Sequence, residues 1–111
     1  MAINNSQRAG FATELTATMT GSTLLVGTIT QSPVIIIFDN QGADAVALYV
    51  NGTAAANLWR TFPGGEALTL DLRSNHGLAA NFTFDIGTTF YANGTNTDGP
   101  FSISYIFAVN T

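Results

Sequence analysis

Cysteine and lysine are both missing from this 111-residue chain, and histidine occurs once. Without cysteine there is no disulfide, no thiolate metal ligand and no thiol nucleophile. Without lysine, the basic side chains are Arg8, Arg60, Arg73 and the single His76, set against seven carboxylates for a net charge of −4. Backbone binding to nucleic acid needs clustered Lys and Arg, so neither nucleic acid nor an anionic membrane is expected as a partner. Charged residues make up 9% of the chain, against about 25% in an ordinary soluble domain. Long apolar runs are also lacking. The unbroken run at residues 34–38 falls far short of the ~20 residues of a membrane-spanning helix. Residues 1–8 carry no apolar stretch of the kind found in a signal peptide, so synthesis in a cytoplasm without secretion is expected.

What remains is a chain that is 46% hydrophobic, with Gly, Thr and Asn filling most of the remainder. A surface that poor in charge promotes association. The composition therefore points to a subunit that lives packed against neighbours rather than to a free monomer.

The organising stretch is residues 62–73, Phe-Pro-Gly-Gly-Glu-Ala-Leu-Thr-Leu-Asp-Leu-Arg. Pro63 suits the second position of a turn, and Gly64 can take the positive φ of a type II turn at the third. A strand of strict alternation follows. Leu68, Leu70 and Leu72 share one face; Ala67, Thr69, Asp71 and Arg73 share the other. That is the pattern of a half-buried antiparallel strand.

The same period recurs along the chain. Strands are expected over residues 14–19, 23–30 (with Gly27 as a possible bulge), 34–38, 44–50, 58–62, 81–86, 88–92 and 101–109. Residues 34–38 read as a strand buried on both faces. Asn51-Gly52 is the strongest hairpin signal. Phe82, Phe84 and Ile86 are expected inside, as are Phe101, Ile103, Tyr105 and Phe107. No helical period persists. The expectation is a single antiparallel β-sandwich over residues 13–111, all-β, jelly-roll or Ig-like Greek key, with about eight or nine strands. Residues 1–12 read as a flexible N-terminal arm.

Catalytic chemistry finds little purchase. A nucleophilic triad needs a positioned base, and His76 lies in a Ser-Asn-His-Gly loop, where solvation is the ordinary fate of a lone histidine. Asp71 and Asp85 fall on polar strand faces and could pair as in glycoside hydrolysis, but Arg73 shares the face of Asp71, which favours ion pairing or solvation. The Asp- and Asn-rich stretches 39–44 and 93–98 carry oxygen ligands suited to calcium, yet the same residues serve turns for backbone reasons. Asn51, Asn81 and Asn93 head glycosylation acceptor triplets, which turn and strand chemistry explains without a secretory route. Neither an enzyme, nor a metal site, nor any cofactor is expected. Exposed aromatics can stack on sugars, which makes Trp59 and Tyr91 the candidates for a sugar platform, though packing is the common fate of a single Trp. As contact anchors the sequence offers Tyr49, Trp59, Arg60, Phe62 and Tyr91, because aromatics and Arg dominate binding hot spots.

Several stretches together resemble the small β-sandwich capsid decoration proteins, the head-stabilising accessory proteins of tailed bacteriophages. They are the lysine-free Met-Ala-Ile-Asn-Asn start, Ile-Phe-Asp-Asn-Gln-Gly at 37–42, the 62–73 stretch, and Phe-Ser-Ile-Ser-Tyr-Ile-Phe-Ala at 101–108. The resemblance implies a non-enzymatic virion structural protein on the capsid surface. It would stabilise the shell by binding at junctions of major capsid subunits, often near local three-fold axes. The partners implied are the major capsid protein and copies of the chain itself, with a trimer expected over a monomer. Two other classes fit the same composition: a carbohydrate- or receptor-binding module of a tail fibre, and a subunit of a non-phage assembly such as a filament.

Overall fold

The computed structural model describes residues 7–11, 15–72, 84–94 and 99–110. The alternating segments become β1 (Gln7–Phe11), β2 (Leu15–Thr18), β3 (Leu24–Thr28), β4 (Pro33–Asn40), β5 (Val46–Val50), β6 (Leu58–Phe62), β7 (Ala67–Asp71), β8 (Thr89–Gly94) and β9 (Pro100–Asn110). A single 3₁₀ turn at Ala55–Asn57 precedes β6.

The pairing is nested. β5 pairs with β6, β4 with β7, β3 with β8 and β2 with β9, all antiparallel. This is one long hairpin folded over on itself. Cross-pairing of β4 with β9 and of β5 with β8 divides it into two sheets. The first has the order β1-β9-β4-β7, with β2 also on β9; the second has the order β3-β8-β5-β6. Two such Greek keys make a jelly roll, which decides between the two sandwich topologies the sequence left open.

Residues 7–11 of the segment read as an arm form β1, in register from Gln7 opposite Asn110 to Phe11 opposite Ile106. Residues 1–6 and 12 lie outside the described residues. The pairing of β4 with β9 ends at Pro33 opposite Phe107. Proline has no N–H to offer a ladder. Beyond that point the backbones of β1 and β9 run on together as a two-stranded ribbon.

The core lies between the sheets. Ile36, Phe38, Leu70, Phe101, Ile103 and Tyr105 enter it from the first sheet; Val46, Leu48, Val50, Phe62, Phe90 and Ala92 from the second. Phe38 sits at its centre, with ring centroids 5.0 Å from Trp59, 5.7 Å from Phe62, 5.8 Å from Phe90 and 6.0 Å from Phe84. The Tyr105 hydroxyl, carried into the core on its ring, accepts the Thr30 N–H at 3.0 Å.

One buried polar side chain ties two turns together. Asn40 is 1% exposed. Its Nδ2 donates to the carbonyl oxygens of Asp44 (2.9 Å), Phe62 (3.1 Å) and Pro63 (3.1 Å), and its Oδ1 accepts the N–H of Gly42 (3.2 Å). A buried amide must be satisfied in this way or it costs stability. Asn40 thus joins the β4–β5 turn to the β6–β7 turn.

The structure corrects several local expectations. The Pro-Gly-Gly turn lies one residue later than read: Glu66 N–H donates to Pro63 C=O, and Gly65, not Gly64, has the positive φ (77°). Gly64 is needed for a different reason, since a Cβ there would fall 1.9 Å from the Ala43 carbonyl oxygen. The Asn51-Gly52 hairpin is not a two-residue turn. Asn51 takes φ 63°, and a longer loop through the 3₁₀ turn follows, held by Asn57 Nδ2 on the Val50 carbonyl. β4 is buried on its inner face, but Ile35 and Ile37 on the outer face are only half-buried. Ile86 is 61% exposed, because the chain leaves the alternation for an Asp85–Thr88 turn with Gly87 at φ 92°.

Candidate functional site

The second sheet is built so that its two faces differ sharply. Inward-pointing Val46, Leu48, Val50, Phe90 and Ala92 fill the core. The strand period then sends the intervening residues outward. On β8 and β5 this puts Tyr91 directly opposite Tyr49. On the edges, Leu25 of β3 lies opposite Tyr91, and Leu58 of β6 opposite Tyr49. The result is one cross-strand row, Leu25–Tyr91–Tyr49–Leu58, running over all four strands.

Its ends stand out in solvent: Leu25 is 58% exposed and Leu58 42%. The two tyrosines between them are half-buried. The flanking outward positions on these strands are Thr28, Thr89, Asn93, Ala47 and Thr61, so none of these residues carries a charge. Asn93 is held in place by donating to the Thr23 hydroxyl at 3.1 Å. The outer face of the first sheet is different. There Asp39 and Asp71 flank the half-buried Ile35 and Ile37.

The other expected anchors take other places. A bulge in β6, between the partners of Leu48 and Tyr49, makes Trp59 the extra residue. Bulges re-aim side chains, and Trp59 turns toward the core, packing on Phe38 and Phe84 with centroids at 5.0 and 5.1 Å. Arg60 lies over the Phe62 ring at 4.5 Å and bonds Glu66 at 2.8 Å, with its side chain 33% exposed. Phe62 itself is fully buried. It is a core residue and has no surface to offer a partner, contrary to its reading as a contact anchor. Of the five residues, Tyr49 and Tyr91 are the pair that the fold brings together on one face. Sequence reasoning missed Leu25 and Leu58. The signal that marks Leu58 is its place beside a bulge, and period alone gives no hint of that.

Among the described polar candidates, Asn40, Asn51 and Asp85 bond to the backbone at turns. In the 39–44 stretch the Asn40 oxygen is taken by Gly42 N–H and its nitrogen faces three carbonyls, while Gln41 Nε2 donates to the Ser102 hydroxyl at 3.0 Å. Asp85 Oδ1 accepts the Ile86 N–H at 2.7 Å within a turn, whereas Asp71 lies on β7 of the first sheet. Asn51 Oδ1 accepts the Thr89 N–H at 2.9 Å. No group of three or more His, Asp or Glu side chains suited to a metal occurs among the described residues. His76, Arg73, Asn81, Phe82 and residues 95–98 lie outside them.

No family model and no curated protein matches the chain. The resemblance to capsid decoration proteins therefore rests on the sequence features alone. Among solved structures, one from Bacillus, described under the words "Bacillus endospore appendages form a novel family of disulfide-linked pili", superposes over 99% of this chain and 96% of that one. The TM-score is 0.47 and the identity 14%. A likeness that distant carries no argument about function.

Proposed function

We propose that this protein is a non-catalytic structural subunit whose work is contact with other proteins in an assembly. The observation that carries this reading is the uncharged outer face of the second sheet, with Leu25 and Leu58 exposed at either end of the Tyr91–Tyr49 pair. Aromatic residues enriched and charges depleted are the marks of an interface core. The chain as a whole supports it, since 9% charged residues give a free monomer little protection from association.

Within that class the proposed role is capsid decoration, on the strength of the sequence resemblance. The protein would sit on the outside of a virion shell, at junctions of major capsid subunits. The test is quantitative mass spectrometry of purified virions from the source that encodes the chain. A copy number comparable to the major capsid protein is the expected result. A handful of copies would point instead to a tail-fibre tip, with a sugar-dependent shift in melting temperature as the next measurement. Absence from particles would overturn the virion role.

A filament subunit is the second reading. The two-stranded ribbon of β1 and β9 favours it, because residues 108–110 of β9 pair with β1 alone among the described strands. An isolated two-stranded ribbon is marginal in water and gains from a further strand. Purified protein that forms filaments without any shell, seen by electron microscopy, would move the proposal to this reading.

A further inference from the structure

We infer that the partner covering the outer face of the second sheet is a second copy of this chain, packed face to face about a two-fold axis. The inference rests on the assembly reading above and names the partner for its surface.

Charge is the first argument. Each copy carries a net −4, so two copies repel wherever carboxylates meet. The outer face of the first sheet presents Asp39 and Asp71. The outward residues of the second sheet, in contrast, carry no charge. That face brings two acidic copies together without opposing like charges, which would otherwise cost binding.

Symmetry is the second. The row reads Leu25–Tyr91–Tyr49–Leu58, leucine at both ends and tyrosine at both inner positions. A two-fold axis along the strands, midway between the tyrosines, lays Leu25 over Leu58 of the other copy and Tyr91 over Tyr49. An isologous contact requires a surface complementary to itself, and this row is. The exposed aliphatic ends also argue against a sugar as occupant, since sugars stack on aromatic rings.

Area sets the strength. Strands of five residues, four abreast at about 4.8 Å spacing and about 3.3 Å per residue, give a face of about 300 Å². A standard interface buries about 800 Å² per partner. Pairing is therefore expected to be weak and reversible, and to tighten where an assembly holds copies close.

The test uses the full chain in sedimentation experiments from about 10 μM to 1 mM. The average mass of the wild type should climb from one chain toward two. Tyr91→Arg should raise the dissociation constant by ~10-fold or more, while Thr69→Arg on the exposed face of the first sheet should behave as wild type. Leu25→Lys, at a more exposed position, repeats the test should Tyr91→Arg fold poorly. The lack of native cysteine allows a second readout. Leu25→Cys mixed with Leu58→Cys should form a disulfide-linked heterodimer under mild oxidation, faster than either variant links to itself. A wild type of single-chain mass throughout overturns the inference, and so does equal self-association by Tyr91→Arg. Preferential linking of Leu25→Cys to itself overturns the arrangement. A chain that is monomeric alone yet abundant on virions sinks this inference and leaves the decoration role standing.

Discussion

Tyr49 and Tyr91 stand in register on neighbouring strands, side by side on the outer face of the second sheet. Their partners across the same row are Leu58 and Leu25. Four large side chains on an uncharged face lie where a solitary domain would place Thr, Lys or Glu. The variants below separate what holds the domain together from what this face does.

Leu25→Lys should leave the fold intact. The side chain is 58% exposed, and surface changes of this kind stay within about 0.5 kcal/mol. The same variant should lower association with the particle or with other copies. Urea unfolding checks the first statement and a co-sedimentation assay the second.

Asn40→Leu should destabilise the domain by about 2–3 kcal/mol. It removes the donor serving the carbonyls of Asp44, Phe62 and Pro63 and the acceptor of Gly42 N–H, and each buried group left unsatisfied costs about 1–3 kcal/mol, partly relieved by relaxation. Asn40→Asp should cost more still, because a carboxylate would face those carbonyl oxygens. Chemical denaturation of both variants gives the order, and a change below about 0.5 kcal/mol for Asn40→Leu contradicts the role assigned to this side chain.

Gly64→Ala and Gly65→Ala should differ. At Gly65 a Cβ meets nothing but the backbone has φ 77°, so the cost is the ~1–2 kcal/mol of a left-handed residue. At Gly64 the Cβ would overlap the Ala43 carbonyl, and the two turns must move apart. Gly64→Ala is therefore the more destabilising of the two, as paired melting curves would show.

Trp59→Ala should cost about 3 kcal/mol, the lower end of the range for a large aromatic packed on a core. Trp59 touches Phe38, Phe62 and Phe84, so its loss reads out as instability before it reads out as lost contact. Arg60→Ala should cost no more than about 1 kcal/mol, since its pairing with Glu66 is part-exposed.

The alternation of apolar and polar residues made the strands legible, because a period of two leaves few other structures. It also puts Tyr49 on the face opposite Val46, Leu48 and Val50. The pairing order was not legible. β2 meets β9 across most of the chain, and nothing local to either strand names its partner. The turn after Phe62 was misplaced by one residue because Pro63, Gly64 and Gly65 each suit a turn; only the approach of Ala43 to Gly64 decides among them. The β6 bulge was invisible for the same reason. Its extra residue, Trp59, satisfies an aromatic core supplied by distant strands, and Phe62 is drawn into that core with it. The Tyr49–Tyr91 pair could be half-read from period. The leucines that complete the row depend on the registers of two edge strands.

The most direct measurement is hydroxyl-radical footprinting of the protein free in dilute solution and within the purified assembly. Tyr49 and Tyr91 should react readily in the free chain and become severalfold slower in the assembly, while Tyr105, already buried, stays unreactive in both. Unchanged rates at Tyr49 and Tyr91 would mean that the second sheet still faces water in the assembly, and the surface proposed here would not be the one that makes contact.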